Sequence, residues 1–149
     1  MRLWSRNGRD WSREFLAVTE ALSALRVEEI VLDGEAMAHC KDGLPDFFGL
    51  RSEEGGAAAC LLAFDLLRID GEDLRPLPLE DRRARLRSAL RGAGKALRFS
   101  EHLEGDGEAI FRHACALGLE GIVSKRRDAR YRSGRSLTWL KIKNPDYER

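Results

Sequence analysis

Residues 119–144 have the sequence LEGIVSKRRDARYRSGRSLTWLKIKN. The fold predicted for the chain is based on this stretch. It contains two short apolar runs, Gly121-Ile-Val and Trp139-Leu-Lys-Ile-Lys, that bear charges at alternate positions. This period of two predicts two strands, each with one face in a core and the other against something polar. A basic loop from Lys125 to Arg135 joins the strands and contains the turn-prone pair Ser133-Gly134.

Three charged residues of this hairpin predict a ligand site. Glu120 precedes the first strand, and Lys141 and Lys143 lie on one face of the second. A carboxylate suits a hard divalent cation, and two ammonium groups suit phosphate oxygens. Together they indicate a site for a nucleotide and Mg2+. The alternative from spacing alone is an amphipathic hairpin with a solvated charged face.

The amino-acid sequences of these segments resemble the motifs of a known family. Glu120-Gly-Ile-Val-Ser-Lys, followed by Trp139-Leu-Lys-Ile-Lys, is similar to motifs IV and V of the covalent nucleotidyltransferases, in particular the ATP-dependent DNA ligases. The loop Tyr131-Arg-Ser-Gly-Arg-Ser looks like that of bacterial ligases of the end-joining type. The resemblance implies an α+β nucleotidyltransferase (ATP-grasp-like) ligase core, in which helices flank antiparallel sheets and ATP lies between them. Residues 1–149 would be part of its adenylation domain.

Earlier segments fit the same family in the expected order. The segment with Arg6 corresponds to motif Ia, Asp33-Gly-Glu35 resembles motif III, and Phe64-Asp-Leu-Leu resembles motif IIIa. The resemblance implies that Arg6 contacts the nucleotide, that Glu35 contacts the ribose, and that the Phe64 ring stacks on the purine. Without the resemblance, Arg6 is interpreted as an exposed arginine beside a turn, the Asp33-Gly-Glu35 segment as a bulge or turn, and Phe64 as a ring in the core.

The resemblance also assigns roles to the hairpin charges. Glu120 would hold Mg2+ or Mn2+, and Lys141 and Lys143 would be the catalytic contacts to the phosphates of ATP. The family's nucleophile is a lysine in a K-x-D-G motif. None of the five lysines here is followed by x-Asp-Gly, and the nearest sequence, Lys41-Asp-Gly, has the wrong spacing and position. We therefore expect a chain that lacks the nucleophile, the first strands and the C-terminal OB domain.

The expected function is that of an ATP-dependent DNA ligase in DNA repair and recombination. Its partners would be nicked or broken DNA and end-joining repair proteins. One alternative is a catalytically inactive module that binds nucleotide or DNA, and another is a relative of RNA ligases and capping enzymes. The loop from Tyr131 to Arg135 favours the DNA branch.

Composition agrees with a single globular domain. The chain has 149 residues, of which 43% are hydrophobic, and its net charge is +1. No apolar run approaches the ~20 residues of a membrane span and no signal-peptide pattern is visible, so we expect a cytoplasmic protein without a membrane partner. Cys40, Cys60 and Cys115 are expected to be reduced thiols. Residues 126–135 contain five arginines and one aspartate, a basic patch suited to a phosphate backbone.

The remaining segments predict alternating helices and strands. We expect strands over residues 29–37, 59–69 and 96–100 and helices over residues 12–26, 80–90 and 107–117. Ser12 is predicted to cap the first helix. Arginines surround a thin apolar stripe on the second helix, which predicts a solvated surface helix.

Overall fold

The computed structural model describes residues 1–38 and 58–147. Within these residues the chain forms helices and mainly antiparallel sheets, as in an α+β fold. The helices are α1 (Leu16–Ser23), α2 (Leu79–Ala89) and α3 (Gly107–Ala116). The strands are β1 (Ile30–Met37), β2 (Cys60–Ile69), β3 (Glu72–Asp73), β4 (Leu97–Phe99), β5 (Gly121–Lys125) and β6 (Trp139–Lys143).

Strand β2 is the centre of the larger sheet because it is the most apolar segment and pairs with other strands along both of its edges. It pairs along its length with β1 in antiparallel register, and at its two ends with β3 (antiparallel) and β4 (parallel). The core lies on the face of β2 that carries Leu61, Ala63 and Leu66, where α1 and α2 pack. The predicted strand bounds agree with these to within two residues.

The hairpin predicted from the last motifs forms the second sheet. Strands β5 and β6 pair antiparallel, with Gly121 opposite Lys143, Val123 opposite Lys141 and Lys125 opposite Trp139. Residues 121, 123, 125, 139, 141 and 143 therefore share one face. This face is directed at the larger sheet, because Trp139 contacts Phe64 of β2 with ring centroids 5.9 Å apart.

Helix α1 is shorter than predicted. It begins at Leu16 after Phe15, which makes no side-chain cap. The Ser12 hydroxyl instead accepts a hydrogen bond from the Leu3 amide at 2.8 Å, and so holds the N-terminal segment against the start of the helix. Tertiary pairing has replaced the predicted cap. None of the helices in the described residues is long and apolar enough to cross a membrane.

The prediction that α2 is a solvated surface helix is wrong for two of its arginines. Arg82 is 0% exposed and Arg83 is 8% exposed. Arg82 donates from Nε and Nη2 to both carboxylate oxygens of Asp65, at 2.8 and 2.9 Å, and Asp65 is also 0% exposed. Its Nη1 donates to the carbonyls of Leu77 and Ala129. A buried guanidinium is tolerable here because a carboxylate and two carbonyls satisfy it.

The cysteine prediction is also corrected in part. Cys115 is a free thiol, as expected. Cys60, which is 2% exposed, is disulfide-bonded and is therefore not a reduced thiol. Cys40, like Lys41, lies outside the described residues.

Loss of one member of the buried pair is expected to destabilise the fold strongly. Asp65→Asn leaves the Arg82 charge buried without its counter-ion, which typically costs about 3–5 kcal/mol. The double variant Asp65→Leu/Arg82→Met removes both charges and should recover part of that loss. Urea unfolding monitored by tryptophan emission measures the free energies.

The exposed pair of Arg85 with Glu72 provides the control for this experiment. Glu72→Gln should change the free energy of unfolding by no more than about 1 kcal/mol, because water screens this pair. An Asp65→Asn variant no less stable than Glu72→Gln would contradict the assignment of the buried pair.

Candidate nucleotide-binding site

An open cleft of about 720 Å³ lies between the two sheets. Four segments that are distant in sequence line it. They are the N-terminal segment around Arg6, residues Asp33–Glu35 of β1, the middle of β2 at Phe64, and the loop and strand from Tyr131 to Trp139. Phe64 is the extra residue of β2 at the register shift with β1, and it lines the cleft, whereas the next residue, Asp65, is fully buried and paired with Arg82.

Three predicted nucleotide contacts, Arg6, Glu35 and Phe64, all line this cleft. Glu35 follows a register shift between β1 and β2, where Asp33 and Gly34 pair with Asp65 and Ala63 and leave Phe64 as the extra residue of β2. A Cβ on Gly34 would lie 2.8 Å from the carbonyl oxygen of Leu62, so only glycine fits opposite this bulge without a shift of the backbone. The Asp33-Gly-Glu35 motif is thus one local structure.

The hairpin charges lie at the edge of the cleft and not among its lining residues. Lys141 Nζ, on β6, donates to Oε1 of Glu120, the residue before β5, at 2.8 Å. Desolvation in the cleft raises the pKa of the Glu35 carboxyl, while Lys141 lowers it and Glu120 raises it. Glu35, Glu120 and Lys141 are therefore close enough to interact electrostatically. Lys143 is exposed at the end of β6, one pleat further along the same face.

Glycine is required immediately after Glu120. Gly121 has φ +151°, which side-chain-bearing residues rarely adopt, and a Cβ there would lie 2.1 Å from the Ile142 carbonyl oxygen. The backbone of β5 therefore approaches β6 more closely at this point than any other residue would allow. This approach sets the position of Glu120 relative to Lys141.

The loop between β5 and β6 is fixed to the larger sheet at Tyr131. Its hydroxyl donates to Asp33 Oδ2 at 2.9 Å, and its amide donates to the Arg75 carbonyl at 2.9 Å. Burial and the hydrogen bond to the Asp33 carboxylate raise the pKa of Tyr131 to about 12. One end of the cleft is therefore closed by a neutral tyrosine that links two motifs.

Sequence reasoning omitted Lys125 from the site, although it ends the Glu120–Lys125 motif. Its Nζ lies 4.3 Å from the centroid of the Phe64 ring and 3.8 Å from that of Trp139. Burial, with a smaller contribution from Arg83, lowers the pKa of Lys125 to about 8. The signal in the sequence was its position, since Lys125 lies on the same face of β5 as Gly121 and Val123.

A second cleft of about 560 Å³ lies beside the first. The two share the lining residues Tyr131, Arg132, Ser136 and Thr138. Three arginines of this loop are exposed and form no ion pair within residues 1–38 and 58–147; they are Arg130, Arg132 and Arg135. By contrast, Arg68, Arg85 and Arg112 elsewhere on the surface are ion-paired. We name the three unpaired residues the arginine loop.

The donor set fits Mg2+ only as a site shared with phosphates. Glu120 and Glu35 are close enough to interact electrostatically, and Mg2+ commonly binds one or two carboxylates together with water and phosphate oxygens. The described residues contain no cluster of three or more metal-ligating side chains that would form a closed protein cage. The two carboxylates would therefore hold the ion only together with a nucleotide.

The fold and cleft are those of a nucleotidyltransferase core, and comparison with known proteins defines the family. Residues 1–143 match the family described as ATP dependent DNA ligase domain. The chain belongs to this family.

The relatives agree with this assignment. The chain is 43% identical, over 96% of its length, to the multifunctional non-homologous end joining protein LigD of Pseudomonas aeruginosa, but spans only 18% of that protein. The crystal structure of the ligase domain of LigD from M. tuberculosis superposes with a TM-score of 0.79 at 36% identity, over 95% of this chain and 47% of that one. A mycobacterial DNA ligase D complexed with ATP and MES has a TM-score of 0.77 at 37% identity, with the same coverage.

Substitution of Gly121 tests whether the close approach of the strands is required. We expect Gly121→Ala to separate β5 from β6 and to lower the stability by several kcal/mol, because the added Cβ overlaps backbone that cannot rotate away. Urea unfolding gives the stability, and Trp139 emission reports the hairpin directly.

Gly94→Ala is the matched control, because a Cβ at Gly94 meets nothing within 4 Å and its φ is not in the left-handed range. This variant should stay within about 1 kcal/mol of the wild type. Equal stability of the two variants would disprove the role given to Gly121.

Proposed function

We propose that residues 1–149 form part of the adenylation domain of an ATP-dependent DNA ligase and contain its ATP-binding site. The observation that carries this proposal is the convergence of distant motifs on one cleft, which Arg6, Glu35 and Phe64 line and where Glu35 interacts electrostatically with the Glu120–Lys141 pair. A related ligase D that was solved with ATP supports ATP as the nucleotide.

Each side chain has a role that its chemistry suits. The exposed face of Phe64 stacks on the purine, and Glu35 accepts a hydrogen bond from a ribose hydroxyl. Arg6, Lys141 and Lys143 neutralise phosphate oxygens, and charge-assisted hydrogen bonds of this kind are the strong ones. Lys141 is already held by Glu120, so it is oriented before the nucleotide arrives.

The metal belongs to the same proposal. Glu120, together with Glu35, would hold Mg2+ against the phosphates, where the ion would reduce the negative charge that repels a nucleophile. Desolvation raises the pKa of Glu35, so a cation beside it also favours its ionised form.

DNA is the proposed partner of the arginine loop. A 5'-phosphorylated strand that lies along the second cleft would end next to the nucleotide cleft, because the two share four lining residues. These guanidinium groups suit a phosphate backbone because no carboxylate in the described part of the chain pairs with them. The names of the bacterial relatives support end joining as the process, and a cytoplasmic location and end-joining protein partners are part of this proposal.

A second candidate is a module that binds nucleotide and DNA without the covalent step. It is favoured by the lysines of this chain, none of which is followed by x-Asp-Gly. Incubation with α-labelled ATP and Mg2+, followed by denaturing electrophoresis, separates the candidates. Label on the protein assigns the covalent step to this chain, and mapping the adduct names the lysine. ATP binding without label assigns to it the binding site alone.

The nucleotide site predicts a large effect of Phe64→Leu on ATP affinity. Loss of the ring removes base stacking, and the dissociation constant for ATP should rise about 5- to 100-fold. Isothermal titration calorimetry measures it directly.

Phe99→Leu is the control, because Phe99 packs against the core and does not line the cleft. It should bind ATP like the wild type once both are shown to be folded. The stacking role fails if the two variants bind ATP equally well, and the whole proposal fails if the wild type does not bind ATP.

The arginine loop predicts a change in the salt dependence of DNA binding. Replacement of its three arginines by glutamine should reduce the slope of log affinity against log salt by up to about 3, since each phosphate contact contributes about 0.9. Fluorescence anisotropy with nicked duplex DNA at several salt concentrations measures the slope.

The matched control replaces Arg68, Arg85 and Arg112, which are exposed but already ion-paired. It removes the same formal charge from elsewhere on the surface. Equal slopes for the two triple variants would mean that the loop is not a specific DNA contact.

A further inference from the structure

The ammonium of Lys125 packs against two rings that line the proposed nucleotide cleft. Phe64 and Trp139 both line the cleft, whereas Lys125 does not. Its ammonium is nevertheless within 4.3 Å of one ring centroid and 3.8 Å of the other. We name the two rings the aromatic wall. The Lys125 ammonium thus contacts the aromatic wall without itself lining the cleft.

The wall is held from several directions. Its rings contact each other edge to face, at an interplanar angle of 71°. Arg83 Nη1 donates to the Phe64 carbonyl at 2.8 Å and so fixes the backbone that carries one ring. Lys125 is the group that touches both rings. It lies directly opposite Trp139 in the β5–β6 register.

The charges that face Lys125 come from three elements. Asp33 of β1 and Asp65 of β2 favour its ammonium form, while Arg82 and Arg83 of α2 and burial disfavour it, so that its pKa falls to about 8. Asp65 is committed to Arg82 in a bidentate pair, and Asp33 to the Tyr131 hydroxyl. Within the described residues the ammonium therefore has ring faces as its closest contacts.

We propose that Lys125 is a positioning residue for the purine base of the nucleotide. Its ammonium fixes the aromatic wall and draws electron density from the ring that stacks on the purine. A cation on one face of a ring lowers the negative potential of the other face, which favours stacking with an electron-rich purine. The inference rests on the proposed function, because it requires a purine nucleotide in the cleft. It assigns Lys125 to the base, while the phosphates belong to Lys141 and Lys143.

Adenosine distinguishes these two assignments because it carries the purine and no phosphate. Lys125→Met keeps the length of the side chain and removes the charge. It should weaken adenosine and ATP binding by the same factor, roughly tenfold. Lys141→Met should weaken ATP binding by a much larger factor than adenosine binding, because its main contact is with the phosphates. Lys125→Arg, which keeps a cation at the wall, should recover most of the lost affinity.

The pH dependence gives a readout that a purely structural role would not produce. Adenosine does not ionise near neutral pH, so wild-type affinity for it should fall as pH rises through about 8, where Lys125 loses its proton. The affinity of Lys125→Met should be flat over this range. Lys95→Met, which changes an exposed lysine remote in sequence from the motifs, should follow the wild type.

Trp139 emission tests the placement without a ligand. The wild type should show a transition near pH 8, because a charge beside the indole is lost there. Both Lys125→Met and Trp139→Phe should lack it. A wild type without this transition would overturn the placement of the ammonium.

The binding outcomes separate the two proposals. If the wild type binds neither adenosine nor ATP, the proposed function fails and this inference fails with it. If the wild type binds both and Lys125→Met binds both equally well, only this inference fails. If Lys125→Met loses ATP affinity and keeps adenosine affinity, Lys125 is a phosphate contact and the inference is likewise wrong.

Discussion

The buried bidentate pair of Asp65 and Arg82 is the interaction on which the other parts of this structure depend. The guanidinium belongs to α2, the carboxylate to β2, and one of the carbonyls that it satisfies is that of Ala129, in the loop between the two strands of the hairpin. One desolvated charge therefore joins a helix, the central strand and the loop that borders the cleft. Because neither charge can be solvated in place, these three parts have to assemble together.

Much of the fold follows from patterns that are local in sequence. Strand β6 was predictable because its lysines alternate with apolar residues, β5 because of the short apolar run Gly121-Ile-Val, and β2 because its apolar run is long enough for a central strand. The resemblance carried by the Glu120 and Trp139 segments directed attention to Arg6, Glu35 and Phe64, and the structure brings these three to one cleft. A short motif encodes its own geometry, as the fit of glycine at position 121 illustrates.

The features that were missed depend on contacts between distant residues. Arg82 looks like a solvated helix residue until Asp65, seventeen positions earlier, is placed beneath it. Ser12 looks like a helix cap until Leu3 takes its hydroxyl. Lys125 looks like the start of a basic loop until Phe64 is packed against it. In each case the local sequence predicts one role for the polar group, and a contact with a residue of another element gives it a different role in the structure.

Strand β2 presents the ring of Phe64 to the cleft and the carboxylate of Asp65 to the core at adjacent positions. Phe64 is the extra residue at a register shift with β1, so insertion or deletion of one residue here would change which side chain lines the cleft. The strand can thus diverge among homologues by substitution but hardly by change of length. The arginine loop is anchored at Ala129 and Tyr131, so variation in length is tolerable only beyond these anchors, from residue 132 to residue 137. Natural diversity in substrate preference is therefore expected to concentrate in that short segment.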